Sequence, residues 1–347
     1  MTKLILPVLA AAMLIGMSPP AEAQNFDSVK RREKNSISGK IVSISPVQVV
    51  IEKNSVEEEV PVNEVLYVTF AGEPSDLSFG RLNALNGRYE DALETLGKVD
   101  MAEVTSDVIK QDIEFYKALA ASKLALGGAG SIPEAGKQMY AFAAGPAGVK
   151  SYHYLEASEV LGDLFVALGR YPQAQEYYDK LSKVSWPDYK IRSGVLVGRA
   201  LQAQNKHAEA IQRFDQVLAI NATTPEANMQ KLAATLGKAV SMAAGGDPAT
   251  AQTMVLDVIR QADPENAELH ARAYNALGNT YLKDGKSKEA LLAFLHTDVL
   301  YNSFPEAHAE ALAHLSKLWN QVGNADRARQ AATLLKERYP GSTWASN

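Results

Sequence analysis

The chain has 347 residues, 46% of them hydrophobic and 22% charged, the composition of a folded protein rather than a disordered one. Its net charge of −5 disfavours non-specific nucleic-acid binding. The absence of cysteine excludes disulfides, thiolate metal sites and cysteine nucleophiles together, so the fold must be held by packing.

The first 23 residues carry Lys3, an apolar run from Leu4 to Met17, and then Ser18-Pro-Pro-Ala-Glu-Ala23 with small residues at 21 and 23. That order reads as a secretory signal peptide. The run is too short for a membrane span, which needs about 20 residues, and no cysteine follows it to take a lipid. An exported protein of the bacterial periplasm or cell surface is expected. Residues 24–35, with Lys30-Arg31-Arg32-Glu33-Lys34, read as a flexible polar lead.

Between residues 36 and 72 the hydrophobic pattern alternates. Ile37–Ile44, Val47–Ile51, Glu59–Val62 and Val65–Phe70 read as four strands, separated by turn signals at Ser45-Pro46 and Asn54-Ser55. Pro61 marks an edge, because proline cannot donate to a central ladder. About 37 residues cannot stand alone without docking on a neighbour. A small antiparallel β meander or barrel packed on the following helices is expected, similar in strand pattern to SH3-like or Sm-like barrels. The acidic run Glu57-Glu58-Glu59 reads as a solvated edge that discourages sheet-to-sheet association.

From residue 77 to 340 a different pattern takes over. Tyr274, Leu277, Gly278, Tyr281, Gly285, Ala290 and Phe294 have the intervals of two antiparallel helices packed closely, with small residues at the contact and glycine at the turn. The order returns as Leu161, Gly162, Phe165, Gly169, Ala174, Tyr178, then as Val197, Gly198, Leu201, Asn205, Ala210, Phe214. It returns again as Leu315, Ser316, Trp319, Gly323, Ala328, Ala332, and near the start as Phe79, Gly80, Asn83, Gly87, Ala92, Leu96. Two weaker units, around Ala120 to Met139 and Gly237 to Val255, carry extra turn residues. Turn positions 87, 127, 169, 205, 245, 285 and 323 lie 36 to 42 residues apart, so about seven hairpins are expected.

These residues resemble the tetratricopeptide repeat family across roughly 77–340, with a period longer than that family's norm of about 34. The resemblance implies a mainly α fold, a right-handed α-α superhelical solenoid, and a role in holding partners rather than in catalysis. It also implies that the first helix of each hairpin lines a concave groove. Residues six and three before the small residue, and one and five after it, then face a ligand. This selects Arg192 and Arg199, then Lys231 and Lys238, then Arg272, Asn275, Asn279 and Lys283. The preceding hairpin offers Glu156, Glu159 and Asp163 at the same places, so the groove changes sign along its length.

No motif for chemistry stands beside the array. Gly145-Pro-Ala-Gly-Val-Lys-Ser151 lacks the glycine before lysine that a phosphate loop needs. The six histidines are scattered, and His308 and His314 fall on different faces of one helix, so no metal site or cofactor is expected. Two functions remain open: an exported non-enzymatic scaffold binding a protein or peptide partner, for which the basic groove suits an acidic one, or an accessory protein binding an acidic envelope polymer through the same groove. The tail at 341–347 contains Trp344, placed either to cap the last apolar face or to dock a second copy.

Overall fold

A computed structural model of the chain describes residues 26–32 and 34–345. The leader expected over residues 1–23 lies outside them. No helix among the described residues is long and apolar enough to cross a membrane.

Five strands open the structure: β1 (Asp27–Arg31), β2 (Ile37–Ile44), β3 (Gln48–Lys53), β4 (Val56–Pro61) and β5 (Val65–Thr69). They form one antiparallel sheet in the order β4-β3-β2-β1-β5, with a 3-10 turn at Val62–Glu64 before the last strand. Asn54 and Ser55, both at positive φ, make the two-residue hairpin between β3 and β4. β1 is a correction to the polar lead: residues 27–31 add a central strand between β2 and β5. Its one apolar residue, Val29, is fully buried, facing Ile37 on one side and Val68 on the other. The acidic run lies in the edge strand β4, exposed.

The sheet has no core of its own. Val29, Ile51, Val60 and Val68 share one apolar cluster with Leu77, Leu96, Ile113 and Phe115 of the first helices. A buried polar node stitches the same region. Arg81 forks onto Glu73, with Nη1 and Nη2 at 2.9 and 2.7 Å from its two oxygens, and also donates to Asp112. Asp112 accepts further from the Tyr152 hydroxyl at 2.8 Å and meets His153 Nε2 at 2.7 Å. Burial alone would raise the Asp112 carboxyl, but Arg81, His153 and Tyr152 hold it below the usual range.

Fourteen helices follow as seven hairpins: α1 (Ser75–Leu85) with α2 (Tyr89–Gly97), α3 (Asp107–Leu126) with α4 (Ile132–Ala144), α5 (Tyr154–Ala167) with α6 (Tyr171–Ser182), α7 (Pro187–Ala203) with α8 (His207–Leu218), α9 (Pro225–Ala244) with α10 (Pro248–Gln261), α11 (Ala267–Lys283) with α12 (Ser287–Leu300), and α13 (Pro305–Gln321) with α14 (Ala325–Arg338). Close packing explains the small residues: a Cβ added at Gly278 would sit 2.6 Å from the Phe294 ring, and one at Gly162 2.1 Å from Tyr178. The left-handed turn residues are Gly87, Gly128, Gly169, Asn205, Gly246, Gly285 and Gly323. In the second and fifth hairpins the turn therefore falls one residue later than the sequence pattern placed it.

The array returns on itself. The first helices of successive hairpins, α3 to α13 in odd steps, pack each on the next, and α13 packs back on α3. At this seam Gly341 N–H donates to the Gly128 carbonyl oxygen at 2.8 Å. There is no room for a Cβ at Gly127, where it would meet Pro305 at 2.1 Å. Trp344 belongs to the last apolar cluster, beside His314, so the tail caps the seventh hairpin.

Candidate functional site

Ring closure turns the expected open groove into an inner wall built from α3, α5, α7, α9, α11 and α13. Charged and amide side chains from successive hairpins meet there. Arg192 on α7 pairs with Glu159 on α5. Arg272 on α11 bridges Glu268 of its own helix and Glu306 on α13, both at 3.2 Å. Asn275 and Asn279 donate to Glu310 on α13 at 3.0 and 2.7 Å, and Asn275 also reaches the Ala307 carbonyl oxygen at 2.8 Å. Thus Arg192, Arg272, Asn275 and Asn279 hold neighbouring inner helices together.

Two cations differ. Arg199 on α7 and Lys123 on α3 make no ion pair or hydrogen bond among the described residues, yet both act on the same acids, Asp163 of α5 and Glu268 of α11. Loss of water would lower the Lys123 amine, but Glu268, Tyr89, Asp163 and Glu159 outweigh it and raise its pKa. Burial would raise Glu268, but Lys123, Arg272 and Arg199 draw it down to about 2. Asp163 is held above the usual range, mainly by burial, although Arg199 opposes this and Tyr178 donates to it at 2.8 Å. Glu268 and Glu306 remain 48% and 57% exposed, so water reaches the wall and screens these couplings.

Lys231 and Lys238 do not join this wall, which corrects the sequence pattern. In the hairpins where the pattern is clean the small residue lies seven before the left-handed turn; seven before Gly246 is the fully buried Ala239, not Gly237. A Cβ on Gly237 would meet Phe214 of the preceding hairpin at 2.4 Å. The two-residue shift rotates α9 by more than half a turn relative to the expectation. Lys238 consequently pairs with Asp215 on α8 at 2.6 Å, and Lys231 donates to the Ala222 carbonyl oxygen at 2.9 Å. Position 240 falls where a groove cation was expected, and Val240 is 37% exposed. Lys283 is exposed at the last turn of α11, where a cation suits the helix C-terminus.

Sequence reasoning missed Lys123, Glu268 and Glu306. The two acids stand ten residues before Gly278 and Ser316, so extending the groove rule by one turn would have found them. Lys123 follows no such rule, because the second hairpin has extra turn residues. The β module also reaches the rim: Asn63 donates to Asp188, at the start of α7, at 3.4 Å, and Trp186 packs on the module's shared core.

Residues 271–296 match the family model of the tetratricopeptide repeat. No functionally curated protein matches the sequence. Among solved structures, the chain is similar to the apo form of the quorum sensor NprR from B. thuringiensis, at 14% identity and a TM-score of 0.49 over 76% of this chain and 75% of that one. A tetratricopeptide repeat protein from Parabacteroides merdae is 16% identical with a TM-score of 0.44 over 79% and 98%. PilF of Pseudomonas aeruginosa is 14% identical with a TM-score of 0.36 over 78% and 94%. The seven hairpins, with their small and aromatic contacts and a family match in the sixth, form a tetratricopeptide-like helical array preceded by a small β module.

Proposed function

We propose that the protein is an exported, non-enzymatic scaffold that holds a protein partner against the inner wall of its ring. The observation that carries this reading is the pair Lys123 and Arg199: two cations without ion-pair partners among the described residues, on inner helices of different hairpins, whose charges act on the same acids, Asp163 and Glu268. Clustered donors of this kind suit a carboxylate on an extended peptide, a side chain or a C-terminus. The other polar cluster of note, around Asp112, is closed by its own partners and sits inside the core.

The acidic-polymer reading is weaker. A polyanion needs a continuous track of free cations, whereas Arg192 and Arg272 are each taken by glutamates, and Lys231 and Lys238 lie off the wall. Export rests on the leader pattern of residues 1–23.

Crosslinked capture from the native envelope tests the scaffold. The wild-type protein is expected to retain a defined partner set that Lys123→Glu with Arg199→Glu loses. An unchanged set would overturn the reading. Retention that collapses steeply with added salt, with a polysaccharide or polyphosphate as the bound species, would favour the polymer instead. For export, the mature protein is expected in the envelope fraction with Gln24 as its first residue.

A further inference from the structure

The β module meets the rim of the ring at a polar contact that is left incomplete. Asn63, in the 3-10 turn Val62–Glu64, donates through Nδ2 to both carboxylate oxygens of Asp188 on α7, each at 3.4 Å. An N–H···O bond of ordinary strength is about 2.9 Å long. The cause of the extra length is on the amide itself. Asn63 Oδ1 is buried with no hydrogen-bond donor among the described residues, and a carboxylate that closed further on the amide would set acceptor against acceptor. Asp188 is only 6% exposed, so bulk water does not make up the shortfall. By contrast, Asp27 in the same module accepts from the Ile41 and Ala71 N–H groups at 2.7 and 2.8 Å.

We propose that Asn63 and Asp188 form a proton-operated clasp: when the Asp188 carboxyl takes up a proton from solvent, its O–H gives Asn63 Oδ1 the donor it lacks, Asn63 Nδ2 donates to the other carboxyl oxygen, and the pair draws the β module onto the start of α7. The surroundings favour that proton. Burial raises the carboxyl and Glu226, in the first turn of α9, adds to it, against the Asn63 amide and the backbone N–H groups of Asp188 and Tyr189. Two cations lie nearby, Arg32 of the module and Arg192 of α7. Both bear on the Tyr189 hydroxyl, and Arg192 is paired with Glu159. Glu64, next to Asn63, is held by Lys34 at 2.8 Å. Because the carboxyl is raised in the folded chain, the clasp is complete below the ordinary carboxylate value of 3.8 and is lost as pH rises through the folded value. Its position gives it leverage. Trp186, two residues before Asp188, packs on the core of the module, and Arg192, one turn after it, belongs to the inner wall. Acid therefore pulls the module towards the rim of that wall, whatever the ring holds.

A double-mutant cycle on the full chain tests the clasp, with Asn63→Ala, Asp188→Ala and both together unfolded in urea at pH about 4.5 and about 7.5. The coupling between the two side chains, read on the unfolding equilibrium constant, is expected to be about fivefold or more larger in acid, the size of one added hydrogen bond. A second measurement follows the module directly. The chain has no cysteine, so Val47→Cys and Lys183→Cys place spin labels on the exposed surface of the module and just before α7. The distance distribution of the labelled wild type should narrow in acid. Asp188→Asn, which offers an N–H where the acid offers an O–H, should be narrow at both pH values, and Asn63→Ala broad at both. Equal coupling at the two pH values would overturn the proposal. So would an acid narrowing that survives Asn63→Ala, since the proton would then act through another carboxyl.

Discussion

Gly341 donates its backbone N–H to the carbonyl oxygen of Gly128 at 2.8 Å, joining the tail to the turn of the second hairpin across most of the chain's length. Around this bond, a Cβ on Gly87 would touch the Ser303 carbonyl oxygen at 3.0 Å, and Arg338 approaches Glu90 at 3.9 Å. A repeat array in which each unit touched only its neighbours would carry no such contacts. The seam makes the inner wall a closed surface, and it brings Lys123 of the second hairpin within electrostatic reach of Glu268 in the sixth.

Gly128 is the seam's most constrained residue. Its φ is +89°, which side chains adopt only under strain, and an added Cβ would lie 2.2 Å from the Ser342 nitrogen. Gly128→Val is expected to open the ring: the radius of gyration by small-angle X-ray scattering should rise, and stability should drop by about 1–3 kcal/mol. An unchanged scattering profile in a folded variant would mean that the closure is not held here.

Asp112 is expected to be the most sensitive polar residue of the fold. It is 1% exposed and serves Arg81, Tyr152 and His153 at once. Asp112→Asn keeps the shape but leaves the buried guanidinium with only Glu73 as a charged partner. The expected loss is about 3–5 kcal/mol in urea unfolding, together with loosening of the β module, whose core is shared with α1 and α3. A loss below about 1 kcal/mol would show that Glu73 alone compensates Arg81.

The repeat was legible because its constraints are steric. Gly278 against Phe294 and Gly162 against Tyr178 leave room for nothing larger, and such constraints recur at fixed spacing. The strand β1 was hidden because one buried residue, Val29, gives no alternation to read. The fifth hairpin misled for a related reason. Gly237 is a small residue that answers to Phe214 of the preceding hairpin, not to its own second helix, and the residue that does answer, Ala239, is unremarkable in an alanine-rich chain. Ring closure was beyond the sequence, since small rotations between hairpins, summed over the array, decide whether α13 meets α3.

The register of α9 separates the effect of Lys238 from that of Arg199 on α7. Lys238→Ala removes an exposed pair with Asp215, so it should cost less than about 1 kcal/mol and leave partner capture intact. Arg199→Glu should lower capture at least about tenfold with little change in stability. Equal effects of the two substitutions on capture would mean that α9 does present Lys238 to the partner.

His314 gives the tail a pH signature. Its ring stacks on Phe294 at 4.4 Å and lies beside Trp344, with Nε2 buried and unpartnered. Burial, aided by Lys317, pulls its pKa from 6.5 down to about 4. On acidification the unfolded chain therefore takes up this proton first. The contribution is fully present above pH about 6.5 and declines as pH falls towards 4, by up to about 3 kcal/mol. Asp163 and Glu310 act in the opposite sense, because their raised carboxyls bind protons more readily when folded. The wild type must therefore be compared with His314→Phe, which keeps the stacked ring and removes only this titration. The variant should gain on the wild type progressively between pH 6.5 and 4, read as the difference in unfolding midpoints. Parallel curves would mean that the imidazole is hydrated in the folded state and that Trp344 does not seal it.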